Sequence, residues 1–201
     1  MLAHHMKLRT IALLGAGGWA LYQLTQQLGV PAGVRPVRPF SLTRYLGRWY
    51  EIARIEHAFE QGLTNTSADY TLLPGGRVRV FQRGFDPATR RWREVRAAAR
   101  PVAGAAEAHL QLSFIWPVRA SRIVFGLDDD YQHALVSGPS HDDLWLLSRT
   151  PQLRASTRAT LLEQARAAGF DTERLRWVDQ RRSLAGARAG LPRRKPLRRP
   201  E

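Results

Sequence analysis

Cysteine is absent from the 201-residue chain. This absence excludes disulfide bonds, thiolate ligands for zinc or iron–sulfur clusters, and a cysteine nucleophile. We also expect it to exclude lipid attachment to cysteine, so that any membrane contact comes from unmodified sequence. The rest of the composition is ordinary for a globular protein, with 44% hydrophobic and 24% charged residues. Most of the chain is therefore expected to fold.

Acidic residues are almost missing from the two ends of the chain, which explains most of the net charge of +14. Residues 1–38 hold four basic residues and no acid, and residues 181–201 hold eight basic residues and one acid. Between them, residues 39–180 carry 19 arginines against 16 acids. We therefore expect a mixed surface on the folded part and no specific nucleic-acid-binding domain. The segment 181–201 is expected to be a basic disordered tail.

Charged residues are also missing from positions 10–34, directly after Lys7 and Arg9. An apolar run behind basic residues is typical of a signal peptide. Residues 11–30 are also just long enough to cross a bilayer as a helix. We interpret residues 1–32 as either a cleaved signal peptide or a retained N-terminal membrane anchor, followed by a linker over residues 33–39.

Catalytic and cofactor-binding motifs are scarce. The six histidines show no metal-ligand spacing, and no G-x-S-x-G sequence is present. Residues 15–20 match the dinucleotide pattern G-x-G-x-x-A, but such a site needs an acid about 20 residues further on, and the first acid is Glu51. The three consecutive acids at 128–130 are interpreted as a solvated turn. We therefore expect no catalytic residue, no metal and no cofactor.

From residue 40 onward, short β-like runs alternate with turn residues. Apolar residues recur with period two, as at Leu110 and Leu112, and proline, glycine and aspartate between the runs favour hairpins. The eight runs cover residues 48–56, 64–73, 77–85, 92–101, 108–116, 122–127, 132–137 and 144–150. A helix over residues 153–168 and a ninth strand over 175–180 follow. The sequence predicts an all-β domain over residues 40–180: an eight-stranded antiparallel up-and-down β-barrel with one C-terminal α-helix.

Several segments resemble the lipocalin family, in the branch of bacterial lipocalins and apolipoprotein D. The matched residues are Gly47 and Trp49 of a first-strand G-x-W signature, Asp130 and Tyr131 of the T-D-Y region before the seventh strand, Arg149 of the third signature, and residues 43–46, similar to the short helix that closes the barrel base. The resemblance implies a structural role for these residues. The guanidinium of Arg149, stacked on Trp49, would contribute on the order of 1 to 2 kcal/mol.

Trp49 sets which side chains of this barrel point inward, because alternate residues of a strand face the same side. An eight-stranded barrel can enclose one small ligand. The residues expected to line that site are Glu51, Ala53, Tyr70, Val80, Gln82, Ala97, Leu112, Phe114 and Trp145. Glu51 is expected either to hydrogen-bond a ligand head group or to be satisfied by Tyr or Arg neighbours. The alternative for the whole set is a barrel filled by its own side chains.

The resemblance implies a protein that binds a small hydrophobic ligand without chemistry. We expect a fatty acid or a lysophospholipid as the ligand, and transport or storage as the role. The expected location is the periplasmic side of the bacterial cell envelope, with membrane association. Two other functions stay open: a lipocalin-type enzyme that acts on a bound lipid, and a basic-tailed adaptor at a membrane surface.

Overall fold

The computed structural model describes residues 29–56, 60–102, 104, 106–113 and 119–182. The strands are β1 (Gly47–Ile55), β2 (Thr64–Leu72), β3 (Val78–Asp86), β4 (Arg91–Pro101), β5 (His109–Ser113), β6 (Arg119–Leu127), β7 (His133–Ser137), β8 (Leu144–Ser148) and β9 (Leu175–Trp177), and the α-helices are α1 (Leu42–Tyr45) and α2 (Ala155–Ala167). Most of the expected signal or anchor, and the expected tail beyond Arg182, lie outside the described residues. Within those residues, no helix is both long and apolar enough to cross a membrane.

The strands form one closed antiparallel sheet. Their order is β2-β3-β4-β5-β6-β7-β8-β1, and β1 also pairs with β2, which closes the barrel. β9 adds to the far end of β1, where Arg54 pairs with Arg176. The predicted fold, an eight-stranded antiparallel barrel with a ninth strand and one main helix, is confirmed.

Alternation along the strands produces two apolar clusters. The inner cluster fills part of the barrel and includes Trp49, Tyr70, Val80, Ala97 and Leu112. The outer cluster lies between the barrel wall and α2 and includes Ile55, Leu135, Leu146, Leu161 and Ala165. The consecutive residues Leu146 and Leu147 of β8 belong to opposite clusters, as the pleat of a strand requires.

A β-bulge in β1 reverses the alternation after Glu51. Glu51 pairs with Leu147 and Ala53 with Leu146, so Ile52 is the extra residue. Ala53 therefore packs in the outer cluster. The buried Arg54 takes the inner side, where its Nη1 donates to Glu51 Oε1 over 2.6 Å. The prediction that Ala53 lines the interior is wrong, because it assumed an unbroken period of two.

The barrel is closed at the end where α1 lies. The side chain of Trp49 is fully buried, and its Nε1 donates to the carbonyl oxygen of Tyr45 over 2.8 Å. The guanidinium of Arg149 lies 3.9 Å from the centroid of the Trp49 ring. It also donates, at 2.8, 2.9 and 3.1 Å, to the carbonyl oxygens of Arg44, Arg48 and Tyr131. The stacking expected from the sequence is present, and the guanidinium also ties three backbone segments together.

Gly47 begins β1 beside this closed base. Its φ of +90° lies in the left-handed region that favours glycine. A Cβ added here would lie 3.4 Å from Arg149 Nη1, which is an ordinary contact. The backbone conformation, more than crowding, therefore requires glycine at this position.

The β6–β7 turn completes the base. The hydroxyl of Tyr131 accepts a hydrogen bond from the backbone nitrogen of Ser41, at the start of α1, over 2.9 Å. Asp130 is exposed. The carboxylate that organises the turn belongs instead to Asp128, whose Oδ1 accepts from the backbone nitrogens of Gln132 and His133 at 2.9 and 2.5 Å. The turn thus fixes Tyr131 against α1 through Asp128.

Candidate ligand cavity

A cavity of about 580 Å³ lies at the end of the barrel away from α1. We call it the outer cavity. The β1–β2 and β7–β8 connections, the β3–β4 hairpin and β6 contribute its walls. Its apolar lining residues are Leu63, Val95, Ala120, Pro139 and Trp145. The volume lies within the usual range for small-molecule sites in proteins.

A second, much smaller space of about 30 Å³ lies deeper in the barrel. We call it the inner cavity. Its lining includes Trp49, which closes the base, together with Tyr70, Val80, Leu112 and Leu147. A space of this size holds roughly one or two water molecules. The lower part of the barrel is therefore filled by its own side chains, as the alternative interpretation of the sequence proposed, whereas the upper part is not.

Three residues line both cavities and form a partition between them: Gln82, Arg122 and Trp145. The guanidinium of Arg122 lies 3.4 Å from the centroid of the Trp145 ring. Glu60, from the β1–β2 connection, is held against the partition by both carboxylate oxygens. Its Oε1 accepts from Gln82 Nε2 at 2.9 Å, and its Oε2 accepts from Trp145 Nε1 at 3.2 Å.

Arg122 differs from the other polar groups of the partition in having unused donors. It lies on the inner side of β6 because it pairs with the buried Leu110 of β5. Among the described residues, its guanidinium makes no ion pair within 4.0 Å and no hydrogen bond. The floor of the outer cavity therefore carries a cation whose donors remain available to a ligand.

Glu51 lies below the partition and is satisfied by an arginine, one of the two outcomes expected from the sequence. Arg54 holds its carboxylate, and Arg54 Nη2 also donates to the carbonyl oxygens of Glu60 and Leu63 at 2.6 and 3.1 Å. Burial raises the pKa of Glu51 to about 7, and the negative charge of Glu60 adds to the rise, while Arg54 opposes it. The carboxyl is therefore part of a buried polar network around the β1 bulge.

A family model described as a lipocalin-like domain matches residues 40–180. The chain belongs to the lipocalin family. The outer membrane lipoprotein Blc of Vibrio cholerae is 42% identical over 154 residues, which cover 76% of this chain and 90% of the relative. Blc of Escherichia coli K12 is 40% identical over 150 residues (75% and 85%). Mouse apolipoprotein D is 30% identical over 149 residues (70% and 77%). The expected branch of bacterial lipocalins and apolipoprotein D is confirmed.

Solved structures give the same fold. Insecticyanin from the tobacco hornworm Manduca sexta superposes with a TM-score of 0.61 at 18% identity, over 75% of this lipocalin and 86% of that chain. Lobster apocrustacyanin A1 gives 0.57 at 15% identity, over 75% and 93%. At such identities the likeness concerns the fold alone. Membership of the lipocalin family supports binding of a small hydrophobic ligand as the general function, and binding rather than catalysis.

The Blc relatives are named as outer membrane lipoproteins. These names give no support to the expected exclusion of lipid attachment. They describe the relatives, whereas the sequence of this lipocalin contains no cysteine.

The predicted lining residues separate into groups. Glu51, Tyr70, Val80 and Leu112 line only the inner cavity, whereas Gln82 and Trp145 line both cavities. Ala97 packs in the inner cluster, and Ala53 lies outside the barrel wall. Phe114 lies outside the described residues. The predicted residues therefore lie mostly in the filled part of the barrel below the partition, and few of them line the outer cavity.

The residues that sequence reasoning missed belong to the outer cavity. Glu60 and Leu63 come from the β1–β2 connection, where periodicity gives no information about direction. Ala120 and Arg122 lie in the inward phase of β6 with Val124, so alternation did carry a signal for them. The predicted lining set includes the polar residues Glu51 and Gln82 but no residue of β6, so Arg122 was missed although the alternation of that strand indicates it.

Proposed function

We propose that this lipocalin binds a single-chain lipid, a fatty acid or a lysophospholipid, in the outer cavity and transports or stores it. The observation that carries the proposal is the open volume of about 580 Å³ above a filled base. Its apolar walls suit an acyl chain, because burial of apolar surface is the main favourable contribution to such binding. The inner cavity is too small to contribute to the site.

The partition favours a ligand with an acidic head group. Arg122 presents unused donors at the floor of the outer cavity and is held in place by stacking on Trp145. A guanidinium binds a carboxylate or phosphate through two parallel hydrogen bonds. In this arrangement the head group lies at the partition and the acyl chain extends toward the opening.

The location we propose is the periplasmic side of the bacterial envelope, near a membrane. Two observations support it: the Blc relatives are named as outer membrane lipoproteins, and an apolar segment follows Lys7 and Arg9. A single-chain lipid is poorly soluble in water, so a carrier with a cavity beyond a closed base suits movement between membranes.

The proposed site can be tested by a substitution that fills the outer cavity with a larger side chain. Ala120 lines this cavity, and Ala120→Phe adds a ring inside it. Ala98 is exposed on β4, and Ala98→Phe makes the same addition outside the barrel. Binding of a fluorescent fatty acid should fall on the order of tenfold or more in Ala120→Phe, about 1.4 kcal/mol, and stay unchanged in Ala98→Phe. Equal affinities of the two variants, both folded by circular dichroism, would show that the probe binds elsewhere.

A further inference from the structure

The outer face of the β3–β4 hairpin carries a basic and aromatic surface beside the opening of the barrel. We call it the mouth patch and define it by Arg83, Arg90, Arg91, Trp92 and Arg182. Arg83 also borders the outer cavity. The patch is therefore continuous with the rim of the proposed binding site.

An exposed tryptophan lies at the centre of the mouth patch. Trp92 is 41% exposed and contacts the Phe85 ring at a centroid distance of 5.5 Å. The guanidinium of Arg83 lies 4.4 Å from the Trp92 centroid, and that of Arg182 lies 4.1 Å from the Phe85 centroid. Two cations are thus held on the faces of two adjoining rings.

The patch cations have no acidic partners. Other arginines near the opening are neutralised, since Arg93 pairs with Asp86 at 2.5 Å and Arg181 with Asp179 at 2.6 Å. Across the described part of the chain, no carboxylate lies within 4.0 Å of the four patch arginines. The nearby acid Glu94 pairs with Arg83 in register but makes no ion pair with it. The patch therefore has a net positive charge.

The hairpin turn orders the backbone that carries two of these cations. Asp86 Oδ1 accepts from the backbone nitrogens of Ala88 and Thr89 at 2.9 and 3.2 Å. These bonds hold the pKa of Asp86 below its ordinary value, and the bond from the Thr89 backbone nitrogen contributes most. Arg90 and Arg91 follow directly and are exposed. The turn therefore presents both side chains at the rim of the barrel.

The chemistry of the mouth patch fits the head-group region of an anionic membrane. Tryptophan favours this region because its ring is apolar and its N–H is polar, and each arginine near an anionic surface adds attraction. The sequence after Arg182 is also basic and includes Arg188, Arg193 and Arg194. The position of the patch beside the cavity opening also favours a membrane, because a lipid carrier needs its opening near the lipid, whereas a nucleic-acid site has no such requirement.

We propose that the mouth patch docks the barrel on a membrane surface rich in anionic phospholipids, with the opening of the outer cavity beside the lipid. The role of this docking, direct exchange of a lipid between membrane and cavity, rests on the proposed function. The docking itself does not depend on a bound lipid.

The first test compares two double variants of the full chain on vesicles. Arg90→Gln/Arg91→Gln removes two patch charges, and Arg77→Gln/Arg79→Gln removes two exposed charges at the other end of the same hairpin. Binding to phosphatidylcholine vesicles that contain phosphatidylglycerol should weaken on the order of tenfold in the patch variant only, and added salt should remove the difference. Equal weakening in both variants would overturn the proposal, as would a wild type that does not bind these vesicles.

The second test locates the contact through two matched tryptophans. Trp92 and Trp177 are 41% and 43% exposed, and each is covered by an arginine, Arg83 at 4.4 Å and Arg158 at 3.7 Å. Brominated phosphatidylglycerol should quench part of the wild-type fluorescence. That part should decrease in Trp92→Phe and stay unchanged in Trp177→Phe, since any contribution from Trp19 of the apolar segment is common to all three proteins. Its loss in Trp177→Phe instead would place the membrane contact on another face.

The docking surface and the carrier function can fail separately. Ligand binding by Ala120→Phe and Ala98→Phe is measured without vesicles, and docking is measured without ligand. Vesicle binding that depends on the patch, in a protein that binds no lipid in solution, supports the docking surface and contradicts the carrier function. If Arg90→Gln/Arg91→Gln weakens binding of a single-stranded oligonucleotide and leaves vesicle binding unchanged, the patch is a nucleic-acid site and the proposal is wrong.

Discussion

The closed base and the partition each hold an arginine stacked on a tryptophan, but they use this kind of pair in different ways. At the closed base, Arg149 stacks on the buried Trp49 and its guanidinium donates to three carbonyl oxygens. At the partition, Arg122 stacks on Trp145 with no hydrogen bond or ion pair among the described residues. The stacking alone therefore does not define the role of an arginine. The difference lies in the N–H donors: those of Arg149 are bonded to the backbone, whereas those of Arg122 are available to a ligand.

The largest expected effect is on the base. Trp49→Ala removes a fully buried ring and should lower the free energy of unfolding by about 3 to 5 kcal/mol. The matched change at the mouth, Trp92→Ala, removes a ring that is 41% exposed and should cost about 1 kcal/mol or less. Urea unfolding measures both. Similar losses for the two variants would show that the ends of the barrel do not differ as described.

The second prediction concerns the pH dependence of stability at the β1 bulge. Because burial raises the pKa of Glu51 to about 7, the folded chain keeps a proton that the unfolded chain has already released. Stability should therefore fall as the pH rises from the ordinary glutamate pKa through about 7, by roughly 3 kcal/mol from this group. The charged groups that act on it are Arg54, Glu60 and Arg122.

Glu51→Gln should remove this decrease, and Glu94→Gln, at an exposed position of β4, should keep it. The measurement is urea unfolding of the wild type and both variants at pH 5 and pH 8. The readout is the difference between the two pH values, since Glu51→Gln also alters the contact with Arg54. An unchanged difference in Glu51→Gln would contradict the assignment of the raised pKa.

Arg149 is expected to have the next largest effect on stability. Arg149→Ala leaves three carbonyl oxygens without their donor and should lower the free energy of unfolding by about 2 kcal/mol. Arg149→Lys keeps the charge but not the planar fork, so it should recover only part of the loss. Full recovery in the lysine variant would show that charge alone, and not the bonded geometry, closes the base.

The smallest expected effect is on ligand choice at the partition. Arg122→Gln should weaken binding of oleate about tenfold, or 1.4 kcal/mol, and leave binding of methyl oleate nearly unchanged. The control is Arg79→Gln, which removes an exposed arginine from the outer face of β3. Competition with a fluorescent fatty acid measures the affinity of the wild type and of both variants for oleate and for methyl oleate. An equal loss for oleate and methyl oleate would mean that Arg122 shapes the wall but does not bind the head group.

The sequence predicted the barrel because its strands obey local rules. Alternation placed Tyr70, Val80 and Leu112 inside, and the signature residues Trp49 and Arg149 indicated the closed base. Alternation depends on neighbouring residues along one strand, so it can be inferred without knowing how distant segments meet. The closed base joins distant segments, and its prediction came from the resemblance to the lipocalin family.

The candidate site was harder to predict because it depends on irregular segments. The bulge at Ile52 has no glycine or proline to indicate it, and one extra residue sent Ala53 outward and Arg54 inward. Glu60 reaches the partition from a connection between strands, 22 residues along the chain from Gln82. Such long-range contacts leave no periodic signal, so the division of the interior into a filled half and an open half emerged only from the structure.

The most direct test of the central claim is native mass spectrometry of the full chain purified from a bacterial envelope, followed by organic extraction of the bound material. We expect one single-chain lipid per protein in the wild type and in Ala98→Phe, and a much lower fraction of lipid-bound protein in Ala120→Phe. The absence of a lipid adduct from all three proteins, or an equal lipid-bound fraction in Ala120→Phe, would contradict a ligand site in the outer cavity.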